Sequence, residues 1–205
     1  MNQVSINKAI NEIATIDNDV RSAVKIIGFP APRTQPAGFE TLVQTIVAQQ
    51  LSTKAADAIM NRVNKLLPEI TPDHVLRKRK QTLRNAGLSE RKVEYIQGLA
   101  KSIQQGSFNL DDLSNMDDQH AINEITKLRG FGEWSAEIYL MFSLNRTDIF
   151  PANDLAIQVA LQGLKNLDDR PTAKVARDLV EDWSPWRSAG SLFLWHYYKL
   201  NSNKS

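Results

Sequence analysis

The chain has 205 residues, enough for one domain or two tightly joined lobes around a real core. Hydrophobic residues at 42% and charged residues at 23% argue against a disordered or fibrous protein. With no cysteine, disulfides, thiolate zinc sites, iron–sulfur clusters and cysteine nucleophiles are excluded, and a net charge of only +2 restricts any nucleic-acid contact to local patches. The first residues, Met1 to Lys8, lack the long apolar core of a signal peptide, and no apolar run is long enough to span a membrane. A soluble, intracellular protein is expected.

Helical periodicity runs from end to end. Val4, Ile10 and Ile13 mark one helix and Val20, Ala23, Val24 and Ile27 a second, with Asp17 or Asp19 as its cap. Pro30, Pro32 and Pro36 make Gly28 to Gly38 a loop. Phe39, Leu42, Val43, Ile46 and Val47 form an apolar stripe that Gln50 ends, and Ser52-Thr53 reads as the cap of the helix carrying Ala56, Ile59, Val63 and Leu66. Thr71-Pro72-Asp73 starts a short helix that turns basic at Arg77 to Lys80, a run read as a solvated face, with phosphate contact or a short localisation signal as the alternatives.

Ser89 can cap the helix of Val93, Ile96, Ala100 and Ile103, which Gly106 ends. Asp117 or Asp118 opens the helix of Ala121, Ile125 and Leu128. Trp134, Ile138, Met141 and Phe142 form the next stripe, and Ile157, Ala160, Leu161 and Leu164 the one after. Thr172 can cap a helix through Val175, Ala176, Leu179 and Trp183, and Pro185 breaks the chain before a last helix through Leu192, Phe193 and His196. No alternating apolar run with hairpin turns interrupts this series, so the expected fold is all-α. His74, His120 and His196 show no metal-ligand spacing, and structural roles are expected for them.

Two stretches carry chemistry. Leu128-Arg129-Gly130-Phe131-Gly132-Glu133-Trp134-Ser135-Ala136 is a glycine turn between two helices, able to present uncovered N–H groups to a phosphodiester. An ordinary helix–turn–helix corner is the alternative. Asp154 stands in Pro151-Ala152-Asn153-Asp154 at a helix start, where the helix dipole favours an ionised carboxylate.

Leu-x-Gly-x-Gly-x-x-Ser-Ala followed by an aspartate 22 positions beyond the second glycine resembles the helix-hairpin-helix of the DNA glycosylase superfamily that includes endonuclease III. With Val47-Ala48-Gln49-Gln50-Leu51-Ser52, Gly87-Leu88-Ser89-Glu90-Arg91-Lys92 and Trp183-Ser184-Pro185-Trp186-Arg187-Ser188, the chain resembles the 3-methyladenine DNA glycosylase II family from about Phe39 to Tyr198. The resemblance implies two helical lobes with a helix-hairpin-helix and an active-site cleft between them. Residues 39–145, with the hairpin at 128–136, would form the central lobe, and residues 1–38 plus 146–205 the other, all within one glycosylase unit. No room is expected for the N-terminal β-rich domain of some larger relatives.

The resemblance further implies hydrolysis of the N-glycosidic bond of alkylated bases by nucleotide flipping, with Asp154 as the catalytic carboxylate. Bifunctional relatives carry a lysine two residues after the second hairpin glycine. Trp134 stands there, so no lyase activity is expected. Trp134 and Trp186 match pocket tryptophans; Phe39 and Tyr139 could join them, although core packing is the more ordinary role for both. Ile138 departs from a tyrosine found in some members, which implies a less aromatic pocket and a different substrate range. Gln50 matches the residue that wedges into the stack, a plain helix terminus being the alternative, and Ser52 could face the minor groove. The N–H groups of Gly130, Gly132 and Ser135 match phosphate donors. The carbonyls of Thr126, Leu128 and Phe131 match those that hold Na+ or K+ in the family, and no other cofactor is expected. The implied partner is double-stranded DNA with alkylated bases, bound by a monomer in the cytoplasm or nucleoid of a bacterium or the nucleus of a eukaryote. A non-catalytic DNA-binding module, or a glycosylase for oxidised or mismatched bases, are the competing readings.

Overall fold

A computed structural model describes residues 1–202. Twelve α-helices and two 3-10 turns form its secondary structure, with no strand among the described residues, so the chain is all-α. It divides into two compact units, one of Met1–Thr34 with the segment from Leu140 onward, the other of Gln35–Tyr139. These joins lie a few residues before the 38/39 and 145/146 positions expected from sequence.

In chain order, α1 (Gln3–Ile16) and α2 (Asn18–Ile27) begin the first unit. The central unit then holds α3 (Phe39–Ala48), α4 (Thr53–Leu66), α5 (Pro72–Leu76), α6 (Lys80–Asn85), α7 (Glu90–Gln104) and α8 (Asp118–Thr126), and a 3-10 turn at Asp112–Ser114. Helix α9 (Glu133–Phe142) starts there and ends past the join. Helices α10 (Leu155–Leu164), α11 (Ala173–Leu179) and α12 (Arg187–Ser202) complete the first unit, with a 3-10 turn at Glu181–Trp183.

Short polar side chains start most helices. The Asp17 carboxylate accepts from Asp19 N–H and Val20 N–H, Ser52 from Ala55, Ser89 from Lys92, Asp117 from His120 and Thr172 from Val175. Each such cap is worth about 1 kcal/mol. In the first unit α1 packs on α2 and α12, and α10 packs on α12, burying Ile6, Ile10, Ile13, Leu161, Trp183 and Phe193. In the central unit α7 is the hub. Helices α3, α5 and α6 pack on it around Leu42, Ile46, Val75, Leu83, Val93 and Ile96.

Three sequence expectations change. The basic stretch does not extend the Thr71-capped helix: α5 stops at Leu76 and Arg79 is extended (φ −66°, ψ 144°) before α6 begins. Trp183 leaves the α11 stripe for the 3-10 turn, where its buried indole N–H donates to Asp17 at 2.8 Å. Trp134 does not face a core, being 43% exposed, whereas Ala136, Tyr139, Leu140 and Met141 are buried.

Candidate functional site

The hairpin belongs to the central unit and follows from one glycine in particular. Gly130 has φ +96°, and a Cβ there would stand 2.4 Å from the Tyr95 ring of α7, so both torsion and space demand glycine. Gly132 differs from the sequence expectation. Its φ is not positive and a Cβ would meet nothing within 4 Å, so its want of a side chain opens the surface rather than relieving the backbone. The turn is closed by Phe131 N–H donating to the Leu128 carbonyl at 3.1 Å.

Among the described residues, the backbone N–H groups of Gly130, Gly132 and Ser135 donate to no backbone carbonyl. Unmatched donors at a helix start can take an anion. Ser135 itself is 6% exposed, so Gly132, Glu133 and Trp134 make the open face of the turn. The carbonyls of Thr126 and Phe131 accept from no backbone N–H among the described residues, and that of Leu128 accepts one bond, leaving it a second lone pair. These oxygens keep lone pairs that could take a donor or a cation.

Beside the hairpin, α3 ends at Ala48, two residues before the expected Gln50. Gln50 is exposed and takes φ +57°, the left-handed region that a non-glycine residue enters at a cost of about 1–2 kcal/mol. The Gln49 side-chain amide donates to the Gly130 carbonyl at 2.7 Å, and Lys92 Nζ donates to the carbonyls of Val47 and Gln49 at 2.8 and 2.9 Å. A hollow of about 560 Å3 opens here, bordered by Gln49, Gln50, Leu51, Met60, Trp134 and Ile138. Ser52 is exposed at its edge of the loop while its hydroxyl caps α4.

In the other unit Asp154 is the N-cap of α10, one position before the first turn where the sequence put it. Its Oδ1 accepts from Ile157 N–H at 3.0 Å and from the Trp195 indole N–H at 3.2 Å. Trp195 in turn packs obliquely on Phe142, with centroids 5.9 Å apart, and the Arg33 guanidinium stands 5.8 Å from its ring centre. Trp195 is absent from the sequence-derived site, and its place in a run of Trp-His-Tyr-Tyr on α12 is the signal that could have found it. Trp186 is half-buried at the foot of α12, its N–H donating to the Trp183 carbonyl. The segment before it is fixed by Asp148, which receives two bonds from the Arg187 guanidinium and one from Ser184 Oγ.

Phe39 and Tyr139 are 7% and 2% exposed, and the Tyr139 hydroxyl accepts Gly38 N–H at 3.0 Å. Both are core residues of the central unit, Tyr139 orienting the entry to α3, rather than open walls. Gln50, Trp134 and the hairpin share the central unit; Asp154, Trp186 and Trp195 share the other. His74, His120 and His196 bond to the Glu69 carbonyl, Asp117 and the Ile27 carbonyl. No metal-holding group of histidines and carboxylates occurs among the described residues, and no helix among them is long and apolar enough to cross a membrane.

The sequence model of the HhH-GPD superfamily of base excision DNA repair proteins matches residues 43–185. DNA-3-methyladenine glycosylase 1 of Schizosaccharomyces pombe is 29% identical over 203 residues, spanning 96% of this chain and 89% of that protein. Among solved structures, DNA-3-methyladenine glycosidase from Bacillus halodurans matches with a TM-score of 0.86 and 30% identity, over 96% of this chain and 91% of that one. A 3-methyladenine DNA glycosylase of S. pombe in complex with abasic DNA gives 0.81 and 28%, over 95% and 97%.

Proposed function

Since the chain belongs to the HhH-GPD superfamily of base excision DNA repair proteins, we propose that it is a monofunctional DNA glycosylase. Its substrate is double-stranded DNA carrying alkylated bases of the 3-methyladenine type, and its product an abasic site. The observation that carries the chemistry is Asp154, a carboxylate fixed at the N-cap of α10 by Ile157 N–H and the Trp195 indole.

Cleavage of the base–sugar bond sends the bonding electrons to the base and leaves positive charge on the sugar. A carboxylate held in place stabilises that charge or orients the water whose oxygen then bonds to C1′. An alkylated purine already carries the charge that makes it leave, so no strong general acid is needed. An aromatic face, such as that of Trp134 in the central unit or of Trp186 in the other, favours such a cationic base over a neutral one. Phe39 and Tyr139 support the scaffold from the core.

The hairpin supplies register. Gly130, Gly132 and Ser135 N–H groups hold a phosphate without reading sequence, Gln50 fills the gap left by the flipped nucleotide, and Ser52 stands at the groove edge. Na+ or K+ held by the Thr126, Leu128 and Phe131 carbonyls would add positive charge on the phosphate side, and the hydrolysis itself needs no other cofactor. The protein works inside the cell as a monomer.

Asp154→Asn should keep its affinity for abasic-site DNA while release of methylated bases, followed by chromatography, falls at least about a hundredfold. Unchanged release would remove the catalytic assignment. Trp134 supplies no amine, so borohydride should trap no protein–DNA adduct during turnover; a robust adduct would refute the monofunctional reading.

A further inference from the structure

Helix α3 ends without the glycine that commonly closes a helix, and its last carbonyls need partners from elsewhere. The carbonyls of Val47 and of the C-cap Gln49 find one on α7. The Ser89 hydroxyl caps that helix by accepting Lys92 N–H at 3.3 Å, and the Lys92 ammonium, one turn in, reaches across to the Val47 and Gln49 carbonyls. Burial lowers the pKa of this half-buried lysine, the mark of a cation partly withdrawn from water to serve two backbone oxygens.

The effect on Gln50 is specific. The carbonyl of the peptide before it is held by Lys92, and the N–H of the peptide after it donates to the Ala48 carbonyl at 3.2 Å. Both peptide planes flanking a left-handed, exposed side chain are therefore pinned. The Gln49 amide then ties the same loop to the Gly130 carbonyl in the hairpin. A strained non-glycine residue over-determined by its surroundings is a frequent sign of function.

From these bonds we infer that Lys92 and Gln49 are positioning residues that hold Gln50 at a fixed register to the phosphate-gripping hairpin, so that one motion of docking brings it into the base stack. The inference rests on the glycosylase reading for its purpose. Lys92 sets the conformation of the wedge and Gln49 sets its distance from the turn.

The test uses the full chain and a duplex holding a tetrahydrofuran abasic analogue with 2-aminopurine stacked next to it. Wild-type protein should raise the fluorescence as the neighbouring base is unstacked. Lys92→Met and Gln49→Leu should bind that duplex, by anisotropy, yet lose most of the rise. Lys92→Arg should restore it, and Lys92→Met should subtract nothing further in a Gln50→Ala background.

Release of methylated bases should fall about tenfold from duplex DNA and stay unchanged from single-stranded DNA, where there is no stack to enter. A full fluorescence rise in both variants, or an equal loss on duplex and single strand, would overturn the inference in favour of a purely structural brace. Gln49→Leu removes a single bond, so it carries the test should Lys92→Met not fold. If the wild type releases no base from either substrate, the glycosylase reading fails, and the fluorescence arm still decides the role of Lys92 and Gln49.

Discussion

Asp154 does two things with one oxygen, and they can be separated. Its Oδ1 caps α10 through Ile157 N–H and also takes the Trp195 indole N–H. Asparagine caps a helix about as well as aspartate, so Asp154→Asn should leave the melting temperature nearly unchanged while losing the charge. Asp154→Ala should lose the cap as well, about 1 kcal/mol by denaturant melts. Trp195→Phe keeps most of the ring but removes the donor. Base release should slow severalfold with little change in DNA affinity, and equal rates would show that the indole bond does not orient the carboxylate. The helix start at Asp154 was legible in sequence to within one position, because an acid after Pro-Ala-Asn is a local pattern, whereas its catalytic role came from the family resemblance alone. Trp195 was not legible, because its bond to Asp154 spans 41 residues and only the folded chain brings them together.

At the scale of elements, the hairpin's two glycines look equivalent in sequence and are not. Gly130→Ala must force a side chain both into a left-handed backbone and onto the Tyr95 ring, and should destabilise the protein by about 2 kcal/mol or more. Gly132→Ala meets no atom and should leave stability within about 0.5 kcal/mol of wild type. On the proposed phosphate grip it should instead weaken DNA binding, because the new methyl group adds bulk to the exposed turn. Equal melting temperatures for the two variants would refute this division. The same contrast explains which elements could be read in advance. Ser52, Ser89, Asp117 and Thr172 cap the helices expected of them, since capping is decided within three residues. The break between α5 and α6, and the outward turn of Trp134, depend on what α7 and the rest of the unit cover, which periodicity does not record.

At the scale of the whole chain, the first unit is assembled from two segments that the central unit separates in sequence. Asp17 joins them: besides capping α2, it accepts from Lys165 at 2.7 Å, just beyond α10, and from Trp183 at 2.8 Å. Burial pushes the Asp17 carboxyl up, but the Lys165 and Trp183 hydrogen bonds outweigh it and hold the group below its ordinary value. Asp148 behaves alike, burial opposing and the Arg187 and Ser184 bonds prevailing. For Lys165 burial lowers the pKa, and Asp17 and Asp19 more than reverse it. A depressed aspartate adds stability that is complete above its unfolded value, near pH 4, and is lost as pH falls through its folded value. A raised lysine adds stability that is complete below its unfolded value and is lost as pH rises through its folded one. The junction is therefore strongest across the neutral range and fails first in acid. Asp17→Asn should lower the melting temperature at pH 7, because Lys165 then sits partly buried with Asp19 as its remaining carboxylate partner among these bonds. The variant should also lose less stability than wild type between pH 5 and pH 2, so the two melting curves should converge in acid. Parallel curves across that range would mean that Asp17 does not couple protonation to the joining of the two segments.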